Sequence, residues 1–131
     1  MHAFLVELEN RPGGIASIGE ALGSRGINIE NIAGSACGSS GRVTILTSDD
    51  AATRQALGSL GVKVDEMEVV EAGLAHQPGS LGKAARRLAD AGVNIESILP
   101  TGMSGGEVTV GFVTSDPAKT REILSTVAAG G

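Results

Sequence analysis

The sequence predicts an α+β protein made of two copies of one small unit with the element order βαββαβ. The first observation is an internal repeat, in which residues 10–32 align without a gap on residues 76–98 and eight of the 23 positions are identical. The second is an alternation of strand and helix patterns within each copy. Because solenoid repeats span about 20–50 residues, an offset of 66 residues indicates units of domain size. We therefore divide the chain into a first copy, residues 1–67, and a second copy, residues 68–131.

The repeat continues beyond residue 98 with a shift of one position. Thr47-Ser48-Asp49 then aligns with Thr114-Ser115-Asp116. The identical positions fall at predicted turns, helix caps and strands, which are the places where backbone geometry restricts the choice of residue.

The first copy begins with a strand and a helix. Phe4, Val6 and Leu8 recur at every second position, the period of a half-buried strand, and Pro12-Gly13 ends this strand. Apolar residues at positions 15, 18 and 22 then form one face of a helix that we expect over residues 13–25. Gly26 supplies the left-handed residue that commonly ends a helix.

A hairpin and a second helix follow. Ile27 begins a second strand that breaks at the Gly/Ser cluster 38–41, and alternation from Val43 to Thr47 predicts a third strand. Asp49 or Asp50 can cap a second helix. Residues 62–67 are predicted to be extended, which completes βαββαβ.

The second copy repeats this order from about Val69. We expect a strand to Ala75, a helix over 79–91, strands over 93–102 and 107–114, and a helix begun by Asp116-Pro117. Only residues 128–131 remain where the first copy has its fourth strand. The second copy is therefore predicted to lack its last strand.

Two right-handed βαβ crossovers joined by a hairpin give a ferredoxin-like sandwich, with both helices on one face of an antiparallel sheet. Without a fourth strand in the second copy, the segment from Val69 to Ala75 would be an apolar edge with no Pro or Lys, a kind of edge that proteins usually cover. We expect residues 62–75 to form one long strand that pairs with a second chain, the alternative being a tight hairpin in which residues 62–67 fold back on residues 69–75. This predicts a homodimer.

Composition excludes several classes of function. Hydrophobic residues make up 41% of the chain, but it has no Trp or Tyr and a net charge of −5, which argues against nucleic-acid binding. The longest apolar runs are far short of the about 18 residues of a membrane span, so we expect a cytoplasmic protein. Cys37 is the single cysteine and there are two histidines, so we predict neither a disulfide, a metal site nor a cofactor, and no enzyme activity; Cys37 is expected to be a small, half-buried side chain.

Both copies carry one motif at the turn into their first helix. It reads Asn10-Arg11-Pro12-Gly13-Gly14-Ile15 in the first copy and His76-Gln77-Pro78-Gly79-Ser80-Leu81 in the second. About fourteen residues later come Gly26-Ile27-Asn28-Ile29 and Gly92-Val93-Asn94-Ile95. The paired motif resembles the ACT domain family, most closely its free-standing tandem members and more distantly the paired regulatory ACT domains of aspartate kinase.

The resemblance implies a regulatory module that binds a free amino acid, often across an interface between two copies, and acts on an enzyme or regulator in trans. Read from the residues, the unpaired N–H groups at a helix start suit a carboxylate, small residues allow a close approach, and Arg11 can add a charge-assisted contact. The candidate ligand-binding residues are Asn10, Arg11, Pro12, Gly13, Gly14, Ile15, Asn28, Ile29, His76, Gln77, Pro78, Gly79, Ser80, Leu81, Asn94 and Ile95.

Plainer interpretations stay open at this stage. Pro-Gly can be only a tight turn with Asn10 as the helix cap, and Asn28 and Asn94 can be turn residues that tolerate unusual backbone angles. The whole chain can be a structural dimerisation module whose amino-acid site has been lost. Acylphosphatases share this fold and use an Arg and an Asn, which gives a weaker enzymatic interpretation of Arg11.

Overall fold

The computed structural model describes residues 1–130 and divides the chain into two compact units, Met1–Met67 and Glu68 onward. Each unit has antiparallel strand pairs and helices in the ferredoxin-like arrangement. No helix among the described residues is long and apolar enough to span a bilayer.

The first unit has the complete βαββαβ order. Its sheet has the strand order β2-β3-β1-β4, with β3 antiparallel to both of its neighbours. The elements are β1 (His2–Glu9), α1 (Gly14–Gly23), β2 (Ile29–Cys37), β3 (Ser40–Thr47), α2 (Asp50–Leu60) and β4 (Lys63–Glu68).

The core of the first unit lies between the sheet and its two helices. Phe4, Val6 and Ile45 from the strands pack with Ile18 and Leu22 of α1, and all five are almost fully buried. The predicted apolar face of α1 is therefore confirmed at Ile18 and Leu22. It is wrong at Ile15, which is 52% exposed because it lies in the first turn, beside the edge strand β2.

The second unit repeats the order through its second helix. Its sheet has three described strands in the order β5-β7-β6, both pairs antiparallel, around a core that includes Phe112, Leu88 and Leu124. The elements are β5 (Val70–Ala75), α3 (Ser80–Asp90), β6 (Ile95–Ser104), β7 (Glu107–Thr114) and α4 (Pro117–Gly130). Residues 128–131 were expected to follow the last helix. Residues 128–130 belong to α4 instead, and Gly131 lies outside the described residues.

The sequence predicted one long strand over residues 62–75, and this prediction is wrong. Val69 separates β4 from β5, and each strand belongs to a different sheet. β4 lies beside β1 in the first unit, and β5 pairs with β7 in the second.

The repeated Thr-Ser-Asp motif performs the same task in both units. Thr47 Oγ1 and Thr53 Oγ1 are 2.6 Å apart, and Asp49 accepts a hydrogen bond from the Ala52 N–H at 3.0 Å. In the second unit, Thr114 and Thr120 are also 2.6 Å apart, and Asp116 accepts from Lys119 N–H at 3.0 Å. The motif therefore fixes the start of α2 and of α4.

Candidate functional site

The first helix of each unit begins without a side-chain cap. The N-cap residues are Gly13 and Gly79, with φ angles of 99° and 90°, and neither α1 nor α3 has a side-chain cap hydrogen bond. A φ in this range is the left-handed region, which glycine adopts at little cost. The interpretation of Asn10 as a helix cap is therefore wrong. The first turns of α1 and α3 therefore lack a side-chain acceptor of the kind that Asp49 provides for α2, although Ser80 N–H donates to the Gln77 carbonyl at 3.4 Å.

Asn10 instead holds the turn against the β2–β3 hairpin. Its side-chain amide donates to the Gly38 carbonyl at 2.9 Å, and its backbone N–H donates to the Ser39 carbonyl at 2.9 Å. Among the described residues of the second unit, the backbone bond has an equivalent, from His76 N–H to the Gly106 carbonyl at 2.7 Å, and the side-chain bond has none. The two copies thus share the turn but differ in the side chain that faces the hairpin.

Arg11 pairs with its own strand. Its Nε lies 3.0 Å from a carboxylate oxygen of Glu9, and both side chains are 74% exposed. An exposed pair of this kind contributes little to stability. It does place an acidic group beside the start of α1, which the second copy lacks because Ala75 occupies the aligned position.

A groove runs between the start of each first helix and the neighbouring edge strand. In the first unit it encloses about 390 Å³ and is bordered by Leu8, Glu9, Asn10, Arg11, Gly14, Ile15, the β2 segment 32–36 and residues 41–43. We call this the first groove. The second groove, in the second unit, encloses about 350 Å³ and is bordered by Leu74, Ala75, His76, Gln77, Ser80, Leu81, Ile98, Leu99, Pro100, Val108 and Val110.

One aligned pair of exposed apolar side chains marks both grooves. Ile15 and Ile32 are 52% and 46% exposed in the first, and their counterparts Leu81 and Ile98 are 50% and 39% exposed in the second. Large apolar side chains left this exposed at equivalent places in two units indicate a surface that contacts something else.

Ile32 and Ile98 were not among the predicted site residues. Ile29 and Ile32 are three positions apart, so strict alternation would place them on opposite faces of the sheet. A register shift between Ile29 and Asn31 sets Ile32 opposite the core residue Ile45, and a shift between Ile95 and Ser97 sets Ile98 opposite Phe112. The odd spacing of the apolar residues, the same in both copies, was the available evidence for these bulges.

The predicted Asn-Ile residues lie at the other end of the sheet from the Pro-Gly turn. Asn28 N–H donates to Ser48 Oγ at 3.1 Å and Ile29 pairs with Thr47, whereas the turn adjoins Gly38 at the far end of β2. Asn94 donates in the same way to Ser115 Oγ at 3.0 Å, and Ile95 pairs with Thr114. Within one unit, the structure therefore does not bring the two halves of the predicted site together.

Cys37 and the two motif prolines lie outside both grooves. Cys37 is exposed rather than half-buried, because it lies at the end of β2 beside the hairpin. Pro12 and Pro78 shape the turns without bordering the grooves. Among the described residues, no three His, Cys, Asp or Glu side chains are grouped closely enough to hold a metal ion.

Comparison with known proteins gives one family match and several structures of similar fold. Residues 2–61 match the family model of the ACT domain. The chain is similar in structure to protein BT0572 from Bacteroides thetaiotaomicron, with 24% identity, 95% of this chain and 86% of that chain covered, and a TM-score of 0.79.

A second similar structure is the ligand-free regulatory subunit of aspartate kinase from Thermus thermophilus, with 22% identity, 96% and 91% coverage of the two chains and a TM-score of 0.66. The aspartate kinase of Clostridium acetobutylicum is 19% identical, with 97% of this chain but 33% of the enzyme covered and a TM-score of 0.67. At these identities, the likeness shows a shared fold. No curated protein sequence matches the chain.

Proposed function

We propose that this chain, whose residues 2–61 match the ACT domain, is a regulatory module of two ACT domains, residues 1–67 and 68–131, that binds a free amino acid. In this proposal the chain acts on an enzyme or regulator in trans. No residue has a catalytic role, and none holds a cofactor. The second domain is a copy of the first without its fourth strand. The repeated motif and the shared element order through the second helix support this assignment.

The observation that carries the proposal is the uncapped helix start beside a groove, present twice. The opening N–H groups of a helix need acceptors, and the helix dipole favours an anion there. Gly13 and Gly79 leave open space where a Cβ would stand, since nothing lies within 4 Å of either position. A ligand carboxylate can thus approach the backbone while the rest of the ligand lies along the groove.

Regulation without catalysis is supported by the comparisons. The Thermus thermophilus neighbour is a regulatory subunit, and the Clostridium acetobutylicum neighbour is described as an allosteric enzyme in which a chain like this one covers a third of the length. A chain segment of this fold can therefore exist as a separate regulatory subunit or as part of an allosteric enzyme.

The position of Asn28 and Asn94 favours binding between two chains. Each lies at the start of an edge strand, β2 or β6, while the helix start lies at that strand's other end. When two edge strands pair antiparallel about a two-fold axis, the start of one lies beside the end of the other. A partner chain would thereby bring its asparagine to the ligand, which makes the homodimer part of the proposal.

Melting of the intact chain in the presence of each amino acid tests the proposal. The chain has no Trp or Tyr, so unfolding is followed by circular dichroism. A ligand at 100 times its Kd adds about 2.7 kcal/mol to the stability of the folded state, which corresponds to a rise in Tm of roughly 5–15 °C. At least one amino acid is expected to raise Tm to this extent, whereas its D-enantiomer is not.

The alternatives give different results in the same experiment. A structural dimerisation module would melt at one temperature whatever amino acid is added. An acylphosphatase would hydrolyse an acyl phosphate, and Arg11→Ala would abolish that turnover; we expect no turnover from the unaltered chain.

A further inference from the structure

We infer that the second groove, and not the first, is the ligand site, and that it selects amino acids with aliphatic side chains. This inference rests on the proposed function, because it names the ligand class and the unit that binds it. The two grooves begin at the same kind of glycine turn but differ in the charge and size of the side chains that border them.

The charges beside the two helix starts differ. In the first unit, Glu9 and Arg11 form an ion pair at 3.0 Å beside the start of α1, and Glu20 is the one charged residue within that helix. Ala75 replaces Glu9 and Gln77 replaces Arg11 in the second unit, where α3 carries three basic residues against one acid, Lys83, Arg86, Arg87 and Asp90. A ligand carboxylate at α3 therefore meets no acidic side chain at the helix start, whereas at α1 it competes with Glu9 for Arg11.

The side chains that border the two grooves also differ in polarity and size. The first groove contains Glu9, Arg11 and Arg42, and its β2 wall is built mostly from small residues, at positions 33–36. The second groove is bordered by large aliphatic side chains on both sides: Leu74, Leu81, Ile98, Leu99, Val108 and Val110. The first groove also has Leu8, Ile15, Ile32 and Val43, but Ala33 and Gly41 stand where the second has Leu99 and Val108. An aliphatic ligand side chain would therefore bury more apolar surface in the second groove, with a gain of roughly fourfold in affinity per additional buried methylene.

A few polar groups lie at the mouth of the second groove. His76, Gln77 and Ser80 border it at the end where α3 begins. The amide oxygen of Gln77 can accept a hydrogen bond from a ligand ammonium group, while the N–H groups of the first turn face the carboxylate. An apolar cavity with a few convergent polar groups is the usual form of a small-molecule site, and 350 Å³ lies within the about 300–1,000 Å³ of such sites.

The aligned grooves provide matched variants. Leu81→Asn makes the second groove polar, and Ile15→Asn makes the equivalent change in the first. Both side chains are about half exposed, so neither variant should unfold its unit. Ser80→Asp and Gly14→Asp form a second pair, which sets a carboxylate at each helix start, where the helix dipole tolerates it.

Isothermal titration of the intact chain with L-leucine, L-serine and L-aspartate tests the inference. L-leucine is expected to bind at least tenfold more tightly than the other two. Leu81→Asn and Ser80→Asp should each weaken L-leucine binding at least tenfold, whereas Ile15→Asn and Gly14→Asp should change it less than twofold. Circular dichroism of each variant verifies that the fold is retained.

Several results would overturn the inference while leaving the proposed function intact. These are tighter binding of L-serine or L-aspartate than of L-leucine, loss of binding in the first-groove variants, or equal loss in both sets. A Leu81→Asn variant that changes the oligomeric mass but not the affinity for L-leucine would show that the second groove is a protein interface. Failure of all twenty amino acids to bind would overturn both the inference and the proposed function.

Discussion

Two left-handed glycines decide where the first helix of each unit begins. Gly13 and Gly79 take φ values of 99° and 90°, and the Pro-Gly sequence before each helix predicted this turn. The sequence did not predict the partner of the Asn10 side chain, because that partner, the Gly38 carbonyl, lies 28 residues away across the hairpin. Local residue patterns predict backbone conformation well, but they contain no information on contacts of that range.

Replacing the first of these glycines tests its conformational role. Gly13→Ala should destabilise the chain by about 1–2 kcal/mol, because an L-residue is strained at this φ although its Cβ would meet no atom. Urea unfolding followed by circular dichroism measures the change. Gly19→Ala is the control, since Gly19 is helical with free space around it and should gain up to about 1 kcal/mol. Equal effects of the two changes would show that φ at Gly13 is unimportant.

Glu66 is the most strongly perturbed acid among the described residues. Arg54 donates two hydrogen bonds to its carboxylate, at 2.6 and 2.7 Å, and His2 Nδ1 lies 2.5 Å away. These contacts, with Arg54 the larger cause, lower the pKa of Glu66 from 4.5 to about 2. A carboxyl group with a lowered pKa stabilises the folded state above its unfolded pKa, and this contribution is lost as the pH falls from 4.5 to about 2.

Glu66→Gln should therefore lower Tm at pH 7 and have progressively less effect as the pH falls from 4.5 to about 2. Thermal melts of both proteins across that range measure the difference in Tm. Glu30→Gln, on an exposed side chain for which no ion pair is found among the described residues, serves as the control. A Tm difference that stays constant down to pH 2 would mean that the carboxylate charge of Glu66 does not contribute to stability.

At the scale of elements, periodicity predicted most helices and strands, with errors of a few residues at their ends. The larger errors came from irregularities that interrupt the period. The bulges at the start of β2 and β6 turn Ile32 and Ile98 toward the helices, and the break at Val69 divides the predicted long strand. Such features depend on pairing between strands, which a pattern within one segment does not specify.

The capping aspartates of the second helices give a prediction at this scale. Asp49→Ala should cost about 1 kcal/mol of stability, because the Ala52 N–H would lose its acceptor. Urea unfolding measures the loss. Asp50→Ala, in the first turn of the same helix, removes an equal charge without removing the cap, so its effect should be smaller. A loss at Asp50 as large as that at Asp49 would attribute the effect to charge alone.

At the scale of the whole molecule, the internal repeat predicted two units, which the structure has, but it did not predict the geometry of the site. The motif residues at 10–15 and 28–29 were expected to surround one ligand, yet they lie at opposite ends of the same sheet. Spacing along the chain cannot show whether a site is completed by a second chain. The homodimer proposed above joins the two halves of the motif.

Light scattering during gel filtration tests the homodimer. At micromolar concentration the mass should be twice the 13.1 kDa of the chain. β5 pairs with β7 on one side, and no described strand pairs with its other side; β2 and β6 are likewise edge strands of their sheets. A mass near 13.1 kDa would exclude the dimer.

The proposed function requires a ligand carboxylate to bind at the start of α1 or α3. Correlation spectra (¹H–¹⁵N) of the intact labelled chain, titrated in turn with each of the twenty proteinogenic amino acids, test this requirement. At least one amino acid is expected to shift the amide resonances of residues 79–82 in a saturable manner, because N–H groups there gain an acceptor. If none of the twenty produces a saturable shift at residues 79–82 or at residues 13–16, no carboxylate binds at these helix starts.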